Sequence, residues 1–536
     1  MNKQHSFAGT GTMLRFMLRR DRIQLPIWII AIIISVVGTL ASYENLYQTE
    51  ASRQETAALM ASPASIAMTG PELYLENYTF GAMMGHQMLG FVGIVVGLMS
   101  VLLIVRHTRK EEETGRTELV RASVTGRHAN TTASLILATA VNIVLAVVLA
   151  VAMGSLGIES VTWQGSFLYG AALASVGLSF SGVAIFVVQF MEHGRAATGL
   201  SLGLLVVAYC LRAAGDIGDE FISWLSPIGW AQQTSVYVDN HWSPLLLSLG
   251  FTIVLVAIAY PLSTKRDVGA GMIPPRRGKA SASKALTKPI GLAYRLQRTN
   301  LIVWGFAMFF FGAMYGSFLG EAEKMMESMG NTIGEMLPGM DGGVLADSFA
   351  AMFIAISAIV STIPSLQSIL RLRSEEKEGR VEGMLSGALS RPRLLGSFVI
   401  AAILNSLFLL FMAGLGMGVA GSQSMNDSSY LGDLIVAGLS FAPALWVVIG
   451  VGVALIGFFP KGTSFSWAVV VFAFLIIYLG GALQLPEWLM NISPYQHIPR
   501  FPLEDFDWVP LLSLTGVATV LIVIGWFGFR RRDIEM

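Results

Sequence analysis

Residues 109–127, RKEEETGRTELVRASVTGR, align without a gap on residues 373–391, RSEEKEGRVEGMLSGALSR, at an offset of 264. Seven positions are identical: Arg109/Arg373, Glu111/Glu375, Glu112/Glu376, Gly115/Gly379, Arg116/Arg380, Glu118/Glu382 and Arg127/Arg391. An internal match of this kind defines the architectural unit of a chain. Working outward, Arg19, Arg22 and Trp28 correspond to Arg295, Arg298 and Trp304 at an offset of 276. Trp242 and Pro244 correspond to Trp508 and Pro510 at 266, and Lys265-Arg266-Asp267-Val268 to Arg531-Arg532-Asp533-Ile534 at the same offset. The fall from 276 to 264 places a net twelve extra residues in the first outer loop relative to its counterpart.

The segments between these landmarks are apolar. Of the 536 residues, 54% are hydrophobic and 13% charged, against about 25% charge in an ordinary soluble domain, which excludes a soluble globular enzyme. A bilayer core about 30 Å thick needs roughly 20 apolar residues of helix. Twelve such runs occur, at 25–42, 83–105, 133–153, 165–189, 196–211, 243–262, 300–318, 348–370, 395–419, 434–459, 464–483 and 509–529. None contains Asp, Glu, Lys or Arg; the fifth stops at Arg212. The first is long, lacks a small-x-small cleavage site and reads as an uncleaved anchor.

Six spans per half preserve orientation, so the repeat is parallel and predicts a pseudo-twofold axis along the membrane normal. The expected fold is an all-α polytopic membrane protein of 12 transmembrane helices in two parallel six-helix repeats. The halves are residues 1–264 and 290–536. Residues 265–289, with Gly269, Gly271, Pro274, Pro275 and the KASASKALTK stretch, read as a flexible cytoplasmic linker.

The net charge is zero, 35 Lys+Arg against 35 Asp+Glu, and no basic excess invites nucleic acid. Sorted by side, the balance changes. The two termini and the connections after even-numbered spans hold 31 Lys/Arg and 13 Asp/Glu, whereas the connections after odd-numbered spans hold 4 and 22. By the positive-inside rule both termini are cytoplasmic in a cell (plasma) membrane. Cys210 is the one cysteine, which excludes an intramolecular disulfide, and no Cys/His cluster has metal-ligand spacing.

Eight of the thirteen inner acids lie in the two repeated segments. Glu112 and Arg116, like Glu376 and Arg380, are four apart, so on a helix each pair would share a face with the glutamate in the favourable amino-terminal position. Such a pair adds only about 0.2–0.5 kcal/mol, too little to account for the pattern, and Gly115 and Gly379 weaken a helix. A docking surface explains two gapless copies better than a solvated loop. Met13 to Arg22, MLRFMLRRDR, and Ala293 to Arg298 read either as amphipathic helices at the inner interface or as plain basic flanks.

On these residues the chain resembles the ABC-2 type permeases, and among them the fused twelve-span permeases of bacterial multidrug and polyketide-antibiotic exporters, with a type V exporter-like transmembrane domain. The resemblance spans nearly the whole chain. It is carried by the segments before spans 1 and 7, the E-E-x-x-G-R-x-E element after spans 2 and 8, Ser226-Pro227 and Ser493-Pro494, and KRDVGAG at Lys265 to Gly271. In that family the loop after the second span of each half is a coupling helix docked on an ATPase. The resemblance implies that role for Glu111, Glu112, Gly115, Arg116 and Glu118, and for Glu375, Glu376, Gly379, Arg380 and Glu382. The second copy departs in carrying Gly383 and Met384 where the first has Leu119 and Val120.

No G-x-x-x-x-G-K-[ST] loop occurs, since Gly278-Lys279 is followed by Ala280 without the upstream glycine. The chain is therefore expected to be no enzyme and to bind no cofactor itself; ATP and magnesium would sit on two copies of a separate nucleotide-binding ATPase subunit. The resemblance also implies a central cavity between the halves, with Met84, Gln87, Met88, Tyr209, Phe474 and Tyr478 as candidate pathway residues. His86, inside span 2, reads as a satisfied packing residue ahead of a proton relay. Phe221, Trp224, Leu225 and Ile228, and in the matching segment Trp488, Leu489 and Ile492, suggest re-entrant helices or an aromatic belt. Met325, Met329, Ile333 and Met336, with 51–68 as a looser counterpart, form either a lid stripe or a packing stripe.

The leading expectation is the permease subunit of an exporter that moves amphipathic or apolar small molecules out through the lipid bilayer. A secondary transporter of the major-facilitator type shares the six-plus-six design but usually carries intramembrane carboxylates. A membrane scaffold or sensor paired with an ATPase stays open. An intramembrane enzyme is disfavoured, because no H-E-x-x-H, S-x-x-K or paired intramembrane carboxylates occur.

Overall fold

The computed structural model describes residues 6–115, 118, 125–267, 269–273, 280–320, 342–387, 389–479, 486–504 and 506–532. Among them every regular element is helical, and twelve helices are long and apolar enough to cross a bilayer. They are Gln24–Leu46, Phe80–Glu113, Ala129–Gly154, Trp163–Phe190, Gly194–Ile217 and Pro244–Lys265, then Pro289–Ser317, Ala346–Lys377, Arg391–Ser424, Ser429–Phe458, Pro460–Ile477 and Trp508–Arg531. Each overlaps one apolar run of the sequence. The chain is a multi-pass membrane protein.

The described chain divides into two compact units, Met1–Gly278 and Lys279–Met536. In both, the second and fourth spans are the most buried and the first and sixth the least. Close helix packing depends on glycine where backbones touch: a Cβ on Gly170 of span 4 would come within 2.4 Å of the Ala146 carbonyl of span 3. In the second unit a Cβ on Gly416 of span 9 would collide with the Phe309 carbonyl of span 7. Small residues let membrane helices approach in this way, where packing rather than hydrophobicity drives association.

Three expectations change. Span 5 does not stop at Arg212 but continues to Ile217. The Arg212 guanidinium can stay in the helix because it is buried against Asp216 (3.3 Å), donates to the Ile66 carbonyl (3.3 Å) and lies over the Tyr209 ring. Before span 1 a separate helix, Thr10–Arg20, ends at the buried Asp21, whereas Ala293 to Arg298 belong to one unbroken helix, Pro289–Ser317, that runs into span 7. Asp21 breaks the first copy by turning onto His107 and Arg106; Pro289 starts the second, and nothing after it interrupts. Third, the stripe Phe221, Trp224, Leu225, Ile228 is split between two short helices, Glu220–Ser223 and Pro227–Gln232. Phe221 and Leu225 end up exposed and Ile228 buried. The Ser226 hydroxyl caps the second helix by accepting from Ile228 N and Gly229 N, and it donates to the Ala208 carbonyl. Met325, Met329, Ile333 and Met336 lie outside the described residues.

Candidate functional site

Two groups of polar side chains stand out from the apolar helices, one at each end of the first unit, and the first has a counterpart in the second unit. At the basic end, span 2 breaks at Thr108 and a last helical stretch, Arg109–Glu113, follows. Gly115 then takes a left-handed conformation, φ 72°, which only glycine adopts at little cost, and the chain leaves the helix there. Glu111 pairs with Arg20 of the helix Thr10–Arg20. Glu112 is held by Arg266 through two parallel hydrogen bonds of 2.7 and 2.8 Å and by Arg109 at 2.7 Å. Arg109 is fully buried and also donates to the carbonyls of Glu192, Gly269 and Ala270. Glu113 accepts from the Gly194 amide at 3.0 Å.

The second unit builds the same group from the matched residues. Span 8 belongs to a helix, Gly342–Lys377, that runs on into the matched segment, and Gly379 takes the left-handed turn at φ 70° before the helix Arg380–Leu385. Glu376, 1% exposed, pairs with Arg532 at 2.7 Å and Arg373 at 3.1 Å. The pairing expected at spacing four does not form. The Gly379 turn swings Arg380 off the helix face, so that it meets Glu375 and Glu378 instead of Glu376. Glu118, Glu382, Lys377 and Glu378 are exposed. Arg116 lies outside the described residues.

At the acidic end of the first unit, span 2 opens with a π-helical turn, Met84–Met88, a device often found at functional sites. A directional chain of hydrogen bonds starts in it. Tyr43 OH donates to Gln87 Oε1 (2.8 Å), Gln87 Nε2 to Tyr78 OH (2.8 Å), and Tyr78 OH to His86 Nδ1 (2.9 Å). His86 Nε2, which lies 3.1 Å from the Gly70 carbonyl, carries the proton and donates there. The ring is thus fully satisfied as neutral imidazole, the packing role expected of it. Burial raises the phenols of Tyr74 and Tyr78 above the usual tyrosine range and keeps both as donors. Tyr209 OH donates to the Met68 carbonyl at 2.7 Å.

Gln87 therefore enters the hydrogen-bonded chain that ends on His86, Tyr209 bonds separately to the Met68 carbonyl, Met84 is buried, Met88 is half-buried and Phe474 is exposed; the Tyr478 side chain lies outside the described residues. Tyr43, Tyr78 and Thr69, whose Oγ1 lies 3.0 Å from His86 Nε2, were not legible as members, because each is an ordinary polar residue until the fold brings it to His86 or Gln87. In the second unit a cavity of about 290 Å³ is lined by Ala351, Met352, Phe441, Tyr495 and Arg500. Among the described residues no three His, Cys, Asp or Glu side chains gather as metal ligands.

Comparison with known proteins follows the same lines. The family described as multidrug efflux system permease Rv1217c, C-terminal domain, matches residues 11–261 and 286–530. The multidrug efflux system permease protein Rv1217c of Mycobacterium tuberculosis is 35% identical over 535 residues, 99% of this chain and 96% of that protein.

Proposed function

Because the chain belongs to the multidrug efflux system permease family of Rv1217c, we propose that it is the membrane subunit of an ATP-driven exporter of amphipathic or apolar compounds. Separate ATPase chains, carrying ATP and magnesium, dock on the two matched segments, and both termini face the cytoplasm. The observation that carries this reading is the pair of glycine turns. At Gly115 and Gly379 a span ends in a left-handed residue, and beyond it each segment presents exposed charge, Glu118 in one case and Arg380 and Glu382 in the other. An orientation-setting loop needs positive charge alone, whereas these segments carry eight acids on the otherwise basic side.

The docking face differs from the one that spacing alone suggests. Glu112 and Glu376 are spent on buried arginines, so the exposed Glu118 and Glu382 carry the contact with the ATPase. The test is co-purification from the native membrane with Glu118→Arg and Glu382→Arg introduced together. The expected outcome is loss of the ATPase from a permease that still folds and inserts. Retention of the ATPase at wild-type stoichiometry would sink the docking assignment. For orientation, single cysteines near either terminus, in a Cys210→Ser background, react with an impermeant thiol reagent only after the cells are opened.

A further inference from the structure

The KRDVGAG segment and the RRDI terminus match each other in sequence, yet neither docking nor transport as set out above uses them. The structure shows what the match does. Arg266 lies just beyond span 6 and Arg532 just beyond span 12. Arg266 takes Glu112 from the amino-terminal end of the docking loop by a bidentate ion pair, with its Nε on Gln189 Oε1 at 2.9 Å. From the carboxyl-terminal end of the same loop, Arg127 donates to the Arg266 carbonyl at 3.1 Å. In the second unit Arg532 takes Glu376 at 2.7 Å, and Arg391 donates to the Arg532 carbonyl at 2.8 Å. Each loop thus closes like a staple on one arginine, its side chain gripped by one end and its backbone by the other.

We propose that Arg266 and Arg532 are positioning residues that tie each docking loop to the end of the sixth span of its unit, so that displacement of the loop by a docked ATPase is passed to that span. The inference rests on the docking reading above. Three observations support it. The grouping is built twice from matched residues, although the partners in sequence stand at offsets of 264 and 266. The charges are buried, with Arg266 and Arg532 side chains 8% and 12% exposed, where a planar guanidinium with fixed donors specifies geometry better than an ammonium can. The spans so tied pack on spans 4 and 10 and barely touch spans 2 and 8, which lead into the loops, so a specific polar link supplies a coupling between loop and span that helix packing does not.

The experiment uses the reconstituted permease–ATPase complex in proteoliposomes, with ethidium as the transported probe. Arg266→Gln and Arg532→Gln are combined, and beside them Arg266→Lys and Arg532→Lys. Assembly, ATP turnover and ethidium moved per ATP are read separately. Coupling free energies between sites commonly correspond to 5–150-fold effects. The glutamine pair is accordingly expected to stay assembled and hydrolyse ATP while ethidium moved per ATP falls about tenfold, with the lysine pair in between. Unchanged transport per ATP, or transport and hydrolysis falling in equal proportion, overturns the proposal.

If the glutamine pair does not assemble, the lysine pair decides by the same ratio. Cysteine cross-links from Glu118→Cys and Glu382→Cys to the ATPase, in a Cys210→Ser background, separate the two failures. No cross-link from the cysteine variants that keep Arg266 and Arg532 removes the docking reading. Cross-links present with coupling intact remove the positioning role alone.

Discussion

The two matched segments, 109–127 and 373–391, share their chemistry and differ in how they are restrained. In the first unit the helix breaks at Thr108, and the chain just beyond span 6 folds back on the end of span 4: Met272 N donates to the Gln189 carbonyl and Ile273 N to the Phe190 carbonyl, at 3.0 and 3.1 Å. Arg109 is thereby wrapped by carbonyls of the returning chain. In the second unit the helix Gly342–Lys377 runs unbroken into the motif. There, among the described residues, Arg532 Nε and Nη1 and Glu376 Oε1 have no hydrogen-bond partner. Arg266 thus keeps Gln189 Oε1 and the Ala270 carbonyl as acceptors besides Glu112, whereas among the described residues the Arg532 side chain donates to Glu376 alone. Sequence identity at the seven matched positions does not make the two sites energetically equivalent.

The largest effect expected from this difference is at the central glutamates. Removing one partner of a buried ion pair typically costs about 3–5 kcal/mol, because the remaining charge stays buried. Glu376→Gln should approach that range. Glu112→Gln should cost less, by about 1 kcal/mol or more, since Arg266 keeps its Gln189 and Ala270 acceptors while Arg532, among the described residues, keeps none, each hydrogen bond to a charged group contributing about 1.5–3 kcal/mol. Thermal unfolding of the two purified variants checks the order, and equal losses would break the comparison.

A smaller and one-sided effect is expected at Gly271. A Cβ there would meet the Phe190 carbonyl oxygen at 2.6 Å and the Glu192 nitrogen at 2.8 Å, all backbone that cannot step aside. Gly271→Ala should therefore lift the returning chain off span 4 at a cost of about 1–3 kcal/mol, the usual range for forced overpacking. Protection of the Met272 and Ile273 amides from hydrogen exchange should fall with it. Unaltered protection would show that the first segment is not pinned from this side.

How much of this was legible follows from which forces leave a trace in sequence. The spans were readable because a bilayer demands about 20 apolar residues whatever the packing, and the fifth was cut short only because an arginine normally ends such a run. Arg212 escapes that rule through Asp216, four residues on and one turn up the helix. The docking segments were readable as copies, but their pairing was not. Spacing of four implies a shared face only while the helix continues, and Gly379 ends it between Glu376 and Arg380. Arg266 and Arg532 were visible as a match without a partner, since their glutamates lie more than 150 residues away in sequence. The His86 network is of the same kind, assembled from separate stretches that share no local pattern.

The smallest effect belongs to the two glycine turns, and it serves as the control for everything above. Gly115 and Gly379 have φ of 72° and 70°, and among the described residues a Cβ at either would find no neighbouring atom within 4 Å. Substitution by alanine therefore costs backbone strain alone, about 1–2 kcal/mol for an L-residue held in the left-handed region. Because the strain is intrinsic to the residue and owes nothing to the surroundings, Gly115→Ala and Gly379→Ala should destabilise their units equally, even though substitutions at the glutamates three residues earlier do not. A marked inequality in unfolding temperature would mean that one turn relaxes and the other cannot. The restraint separating the two segments would then reach past the clusters into the turns that bear the docking charges.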